Sequence, residues 1–238
     1  MKLRVAVIVV AAGRGTRFSS DGDRQPKQYR DLVGRPVVSR TLDAFLSHPG
    51  IADVLAVIHP DDTALYDQAV AAIDPVGRNK LRQAVFGGNT RQGSVRNGLL
   101  ALKNDNIHQV LIHDAARPFV SHAVIDNVLE KLAEGQLAVL PAVPVVDTLK
   151  RLGEVTHRLE TVDRTGLWAA QTPQGFDYPT VLEGHEKAYQ AGRTDFTDDT
   201  AIAEWQGGIA LAHALGDAAI LSESFRRMEH LLLSPARG

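Results

Sequence analysis

Apolar runs of strand length alternate along this chain with segments of helical periodicity. Five runs are apolar enough for buried strands, and they read RVAVIVVAA, DVLAVIH, RQAVF, QVLIHDAA and QLAVLPAVPV. Between them lie the helical patterns PVVSRTLDAFLSH, DDTALYDQAVAAI, TRQGSVRNGLLALK and SHAVIDNVLEKLAEG. Continuous apolar strands that alternate with helices are typical of a parallel sheet covered on both faces. The pattern predicts a doubly wound α/β fold whose ligand binds at the carboxyl ends of the strands.

One segment breaks this alternation. From Pro144 to Gly166 apolar and polar residues alternate around a turn at Gly153, which is typical of a two-stranded hairpin. An isolated hairpin is only marginally stable in water, so this one should pack against the core or a second subunit. We therefore predict a single domain over residues 1–238, with a mostly parallel, Rossmann-like sheet and a protruding β-hairpin arm at about 144–167.

Composition and charge exclude several classes of function. The chain has 238 residues, a formal net charge of −2 and no cysteine. Because no basic domain or arm stands out, we expect no nucleic-acid partner. The lack of cysteine excludes disulfides, zinc–thiolate sites and thiol catalysis. No segment approaches the roughly 20 apolar residues of a membrane span, and the start lacks the features of a signal peptide, so we expect a cytoplasmic protein.

The loop after the first strand, AAGRGTR, is the first candidate site. It is not a Walker loop, and Phe18 stands where a dinucleotide fingerprint would need its third glycine after Gly13 and Gly15. Its glycines would let backbone N–H groups approach an anionic ligand closely. Positive charge could come from Arg14, Arg17, Arg24 and Lys27. The alternative is a solvated loop whose glycines serve only the turn.

The loop followed by PKQ resembles the signature of sugar-nucleotide-type nucleotidyltransferases. The later motifs are GGNTRQGSVRNGL, HDAARPFV, DTLKR, TVDRTGLWAAQTPQGF and FTDDTAIAEW. Taken in this order, they resemble 2-C-methyl-D-erythritol 4-phosphate cytidylyltransferases of the non-mevalonate isoprenoid pathway. The motif sequences most resemble those of the cytidylyltransferase half of the bifunctional enzyme that also carries a cyclodiphosphate synthase. The resemblance implies transfer of a cytidylyl group from CTP to methylerythritol phosphate; the alternatives are ribitol 5-phosphate as acceptor, or a non-catalytic nucleotide-binding module.

The same resemblance implies roles for individual residues. The residues expected to bind CTP are Ala11, Ala12, Gly13, Gly15, Gly88, Asn89, Ser94, Asp114 and Ala115. Asn89 stands where the family often has Asp, and it retains a carbonyl acceptor. The structural alternative for this loop is an N-cap by Asn89 or Thr90. Asp114 is also the expected ligand of a magnesium ion, which would bridge triphosphate oxygens and keep several waters.

Arg17 and Lys27 are the expected stabilisers of the transition state. A phosphate oxygen would attack the α-phosphorus of CTP, and negative charge would build on the α-phosphoryl oxygens. Cations fixed there, away from bulk water, stabilise the transition state more than the ground state. The alternative is that both are ordinary surface charges. Arg164 is the third residue to which the resemblance gives a catalytic role, as the group that holds the acceptor phosphate.

The residues expected to bind the acceptor are Asp114, Thr148, Arg164, Thr172 and Thr197. In the family, those on the hairpin arm reach into the neighbouring subunit's site, which implies a two-fold homodimer. Alternatively, Arg164 forms an intrachain salt bridge with Asp163 or Glu160, and Thr172 is a turn hydroxyl.

Neighbouring residues are expected to have structural roles. His113 should pack at the strand end, because the attacking phosphate is already ionised and needs no base. Arg117 either forms a salt bridge with Asp114 or binds ligand. Arg91 is open between a structural and a ligand-binding role. Asp198 and Asp199 should cap and charge the first turn of the following helix.

The chain departs from the family near residue 216. The family's Asn-x-Lys stretch, whose lysine helps to seat the acceptor phosphate, has no counterpart here, and no lysine follows Lys187. This leaves three alternatives. The enzyme is weak, it takes a different polyol phosphate as acceptor, or Arg164 alone holds the acceptor phosphate.

Overall fold

The computed structural model describes residues 3–14, 25–153, 158–194, 196, 198–205 and 212–215. Its strands are β1 Val5–Ala11, β2 Asp53–Ile58, β3 Val85–Phe86, β4 Gln109–Asp114, β5 Ala138–Pro144, β6 Lys150–Leu152, β7 Leu159–Thr161, β8 Trp168–Ala170, β9 Gln174–Asp177 and β10 Ala212–Leu215. Its α-helices are α1 Val37–Leu46, α2 Thr63–Ala71, α3 Arg91–Ala101, α4 His122–Ala133, α5 Tyr178–Gln190 and α6 Asp199–Trp205. Short 3-10 helices span Lys27–Tyr29, Pro60–Asp62 and Pro75–Lys80. In these ranges no helix is long and apolar enough to cross a membrane.

The main sheet has the order β10-β5-β9-β4-β1-β2-β3, with β8 paired to β5. β1 runs parallel to both β2 and β4, and β3 continues the parallel set beyond β2. The strand β9 lies between β4 and β5 and is antiparallel to both. The prediction of a mostly parallel α/β sheet is confirmed, and each of the five apolar runs forms a strand. The antiparallel insertion of β9 was not predicted.

The central strand β1 is apolar throughout because helices cover both faces of the sheet. Val7 and Val9 belong to one core cluster, which includes Phe45 of α1. Ile8 points to the opposite cluster, which includes Leu99 of α3. Every residue of β1 except Val10 is buried. Burial of alternate residues on opposite faces explains the continuous apolar run.

The hairpin expected from the sequence is present. The chain leaves the sheet after Pro144, β6 pairs antiparallel with β7, and β8 returns to pair with β5. All residues of β6 and β7 are exposed, and Leu152 and Leu159 are 57% and 66% exposed. This arm does not bury its leucines against the described part of its own chain. Packing of the arm on a second subunit remains a prediction.

Candidate active site

The candidate site lies at the edge of the sheet where four parallel strands end. β1, β2, β3 and β4 all run in one direction, so the loops that follow them lie side by side. The backbone N–H of Gly87, just after β3, donates to the carbonyl of Ile58 at the end of β2, at 2.8 Å. This is the edge at which the fold class predicts a ligand.

The loop after β1 approaches the loop after β3 very closely. A Cβ atom built on Gly87 would lie 2.4 Å from the Cβ of Ala12 and 2.7 Å from the Oγ of Ser94. Only glycine leaves room for this contact. Ala11 is buried at the strand end, whereas Gly13 is exposed. Gly15 and Arg17, which were predicted to hold the triphosphate and the transition state, lie outside the described residues.

The PKQ motif is tied to the same loop by its glutamine. Gln28 lies in the 3-10 helix Lys27–Tyr29 and is 3% exposed. Its side-chain amide donates to the carbonyl of Ala11 at 2.7 Å and to that of Gly13 at 3.0 Å. Lys27 is exposed and has no ion pair with the described residues. The motif thus places a cation, unpaired among the described residues, on a turn that is anchored to the glycine loop. Sequence reasoning missed the role of Gln28.

Arg14, one of the possible sources of positive charge, is already paired. Its guanidinium forms ion pairs with Asp61 and Asp62 and contacts Nδ1 of His59 at 2.8 Å. Asp62 is almost fully buried. Arg14 therefore fastens the loop after β1 to the loop after β2, and its charge is neutralised locally.

The loop that opens α3 is held by short hydrogen bonds. Thr90 is the N-cap, and its Oγ1 accepts from the N–H of Gly93 at 2.9 Å. Of the two expected caps, Thr90 is therefore the one used. The Oγ of Ser94, which is buried, accepts from Gly88 N–H at 3.2 Å and donates to the Thr90 carbonyl at 2.9 Å. Asn89 is exposed, and its side chain has no partner within the described ranges, which leaves its amide available to a ligand.

Asp114 ends β4 between two arginines. Its Oδ1 lies 3.4 Å from Nε and Nη2 of Arg91, and its Oδ2 lies 3.3 Å from Nε of Arg117. The side chain is 35% exposed, so it remains open to solvent and ligand. Arg117 also donates to Oε1 of Gln171 at 2.7 Å. The salt bridge considered for Arg117 is present.

The residues on either side of Asp114 are buried. His113 packs edge-on to Phe45, its Nε2 donates to the Arg117 carbonyl at 2.9 Å, and burial lowers its pKa to about 4. It is therefore neutral at pH 7, and its predicted packing role is confirmed. Ala115 is 1% exposed, with its N–H bonded to Val10 and its carbonyl to Thr41 Oγ1. A ribose contact by Ala115 stays a prediction and would use little of its surface.

The two adjacent acids at the start of α6 have different roles. Asp198 is the expected cap: its Oδ1 accepts from Ala201 N–H at 2.8 Å. Asp199 lies in the first turn as expected, but it is 1% exposed and pairs with Arg91 at 2.7 Å and with His185 at 3.2 Å. Burial alone would raise the pKa of Asp199, but His185 and Arg91 hold it below its usual range. No local sequence signal points to a pair 108 residues apart.

The acceptor-side residues are only partly described. Thr148 and Arg164 are exposed on the arm, and Thr197 lies outside the described residues. Arg164 has no ion pair with Asp163 or Glu160 in the described ranges, so the intrachain salt bridge considered for it is not formed. The Oγ1 of Thr172 is buried and has no hydrogen-bond partner among the described residues.

Comparison with known proteins agrees with this arrangement. The family model described as IspD, 2-C-methyl-D-erythritol 4-phosphate cytidylyltransferase, matches residues 5–217. Among curated relatives, the bifunctional enzyme IspD/IspF of Rhizobium etli is 46% identical over 219 residues, which are 90% of this chain and 52% of that protein. The corresponding protein of Mesorhizobium japonicum is 51% identical over 201 residues, which are 84% of this chain and 47% of that protein. The chain thus spans about half the length of these relatives.

Several solved structures match nearly the whole chain. The 4-diphosphocytidyl-2C-methyl-D-erythritol synthase of Anaerococcus prevotii superposes with a TM-score of 0.76 at 25% identity and covers 98% of this chain and 100% of its own. The 2-C-methyl-D-erythritol 4-phosphate cytidylyltransferase of Thermus thermophilus superposes with a TM-score of 0.67 at 30% identity, and the match covers 96% of this chain and 100% of that protein. The chain therefore belongs to the IspD family of 2-C-methyl-D-erythritol 4-phosphate cytidylyltransferases, as its ordered motifs predict.

Proposed function

We propose that this chain joins CTP to 2-C-methyl-D-erythritol 4-phosphate and releases 4-CDP-2-C-methyl-D-erythritol and pyrophosphate. The observation that carries the proposal is the anchoring of the Lys27 turn to the glycine loop through Gln28. It supports a position for Lys27, which has no ion pair with the described residues, near the sheet edge that also carries the Gly87–Ser94 loop and Asp114. Membership of the family supports this reaction, and the geometry supports roles in it for particular groups of this chain.

The proposed reaction is a displacement at phosphorus. An oxygen of the acceptor phosphate attacks the α-phosphorus of CTP, and the bond from the α-phosphorus to the oxygen that bridges to the β-phosphorus breaks. Pyrophosphate leaves with that electron pair. Lys27, together with Arg17, would stabilise the charge that builds on the α-phosphoryl oxygens, since both side chains suit phosphate. No general base is needed, which fits a neutral, buried His113.

The two loops after β1 and β3 would hold the nucleotide. The exposed Gly13 leaves backbone N–H groups open to the triphosphate, and the exposed Asn89 can offer both an acceptor and donors to the edge of cytosine. The N-terminus of α3 adds a partial positive charge beside them. Ser94 is buried and bonded to Gly88, so its part would be to shape the loop.

The described residues fit a magnesium ion that is held mainly by substrate. They include no cluster of three His, Cys, Asp or Glu side chains that could hold a metal. Asp114 supplies one partly exposed carboxylate at the strand end. Magnesium is commonly bound by one or two carboxylates, substrate phosphates and water. When bound, it would neutralise triphosphate charge.

The acceptor would be bound across a two-fold dimer. Leu152 and Leu159 on the arm are exposed, and Arg164 has no intrachain ion pair in the described ranges, so both apolar surface and a cation remain for a partner. We propose that Arg164 and Thr148 of one subunit, with Thr172, Thr197 and Asp114 of the other, hold the acceptor. The proposal treats residues 1–238 as one nucleotidyltransferase domain with a dimerisation arm, in the cytoplasm.

Release of pyrophosphate tests the proposal. Purified protein is incubated with magnesium, CTP and either methylerythritol phosphate or ribitol 5-phosphate, and the product is identified by mass. We expect pyrophosphate and CDP-methylerythritol with the first acceptor and at least tenfold less turnover with the second, because an acceptor site rejects polyols that leave its polar groups unpaired. A preference for ribitol 5-phosphate, or CTP binding without pyrophosphate from either acceptor, would contradict the proposal.

A further inference from the structure

Three charged side chains connect α6 to the end of β4. Asp199 of α6 contacts Nη1 of Arg91 at 2.7 Å. Arg91 begins α3, and its Nε and Nη2 lie 3.4 Å from Asp114 at the end of β4. Residues far apart in the chain thus form one row, carboxylate, guanidinium and carboxylate, that runs into the candidate active site.

The two ends of this row differ in how firmly they are held. Asp199 is 1% exposed, and both of its carboxylate oxygens are engaged, one by Arg91 and the other by Nε2 of the fully buried His185. Asp114 is 35% exposed and has longer contacts of 3.3–3.4 Å. A buried carboxylate with a partner on each oxygen is fixed in place, whereas the orientation of a partly exposed carboxylate depends on its neighbours.

We infer that Asp199 is a positioning residue that anchors Arg91, and that Arg91 in turn orients the Asp114 carboxylate for magnesium-bound CTP. The inference rests on the proposed function. Arg91 is well suited to this task because its planar fork can contact two carboxylates at fixed angles, which a lysine cannot do. Groups that orient a metal-binding carboxylate without touching the metal typically change its affinity when they are removed.

The position of α6 gives the row a second consequence. Asp199 directly follows Asp198, which caps α6 and accepts a hydrogen bond from Gln174 Nε2 at 3.3 Å. The row therefore ties the start of α6 to the strand end that carries Asp114.

Binding of magnesium-bound CTP to the full chain, measured by calorimetry without acceptor, tests the inference. Asp199→Asn removes the charge of the anchor, and Arg91→Lys keeps the charge but removes the fork. Asp198→Asn is the matched control, because it makes the same charge change one residue away, asparagine also caps helices, and Asp198 does not contact Arg91. Circular dichroism shows whether each variant is folded. If Asp199→Asn does not fold, the test rests on Arg91→Lys.

The inference predicts a Kd for magnesium-bound CTP about tenfold weaker in Asp199→Asn and in Arg91→Lys, with Asp198→Asn unchanged. The double variant should be no weaker than either single one, since both changes break the same row. The inference would be overturned if the Kd values of the single variants lay within about twofold of wild type, or if their effects added in the double variant. It would also be overturned if the wild type did not bind CTP. Binding that follows this pattern without pyrophosphate release would instead count against the proposed function alone.

Discussion

The side-chain amide of Gln28 donates a hydrogen bond to the carbonyl of Gly13 at 3.0 Å, and a second to that of Ala11 at 2.7 Å. Gln28 is buried, whereas its neighbour Lys27 is exposed. The glutamine thus fixes the distance between the end of β1 and the turn that carries the proposed catalytic lysine. Position matters for such a cation because stabilisation of a transition state depends on preorganised charge.

Replacing Gln28 by alanine should lower activity without removing any charge. The Lys27 turn would lose its two bonds to the loop, and displacement of a catalytic group by about 1 Å can cost about 10²-fold in rate. Gln28→Glu should be at least as damaging, since a carboxylate cannot donate to a carbonyl. Steady-state kinetics check this, with the exposed Gln68→Ala as control; normal kcat/KM in Gln28→Ala would refute the anchoring role.

Replacing Gly87 by alanine should damage the nucleotide loops. The new methyl group would lie 2.4 Å from Cβ of Ala12, so the loops must separate at a cost of about 1–3 kcal/mol. We expect lower stability in urea and a higher KM for CTP. Gly13→Ala is the matched control for stability, because none of the described residues has an atom within 4 Å of its added methyl group. Equal stability of the two variants would show that the loops yield without strain.

The proposed sharing of sites across a dimer predicts complementation. Lys27→Ala and Arg164→Ala should each be nearly inactive alone. Co-expressed in equal amounts, they form mixed dimers, half of the total, in which one of the two sites has both intact residues, so about a quarter of wild-type turnover returns. If Arg164 serves its own chain, no mixed site is intact and activity stays at the level of the single variants.

His48 predicts loss of stability in acid. It is 2% exposed; its Nε2 contacts Asp126 at 3.0 Å and its Nδ1 accepts from the Gly50 N–H at 3.1 Å, so both nitrogens are used by the neutral ring. Burial lowers its pKa below the ordinary 6.5, only partly offset by Asp126, with His122 and Lys80 lowering it further.

Because the unfolded chain then binds the proton more readily, this contribution is present above about pH 6.5 and is lost as pH falls through the lower folded pKa. Urea unfolding of wild type and His48→Gln between about pH 7.5 and 5 checks the sign. The variant should lose less stability than wild type over this range. A steeper loss in His48→Gln would show that the folded protein favours the protonated ring.

The fold could be predicted where neighbours in sequence determine the structure. The run around Val7, Ile8 and Val9 is apolar on every residue because both faces of the sheet are covered, and the alternation around Gly153 marked the hairpin. The strand β9 gave no such signal. It contains Gly175, where a Cβ would lie 2.4 Å from Val128 of α4, so packing against a distant helix sets its residue type.

The candidate site, like the fold, could be predicted from the sequence only in part. The motifs predict site roles for Lys27, Asn89 and Asp114 because each stands in a short, ordered pattern at a strand end or loop, and these roles stay predictions. They could not show that Arg91 bridges Asp114 to Asp199, since that row joins residues up to 108 positions apart. Long-range ion pairs leave no local pattern, and only the folded chain brings them together.

The most direct test of the account is the single-turnover rate of CDP-methylerythritol formation in wild type and Lys27→Ala, with enzyme in excess over CTP and concentrated enough to bind all of it, and with saturating methylerythritol phosphate. Under these conditions binding and product release do not limit the rate, so the measurement reports the chemical step. We predict a loss of about 10²–10³-fold in Lys27→Ala, with the distant Lys103→Ala at the wild-type rate. A Lys27→Ala rate equal to that of wild type would contradict the central claim.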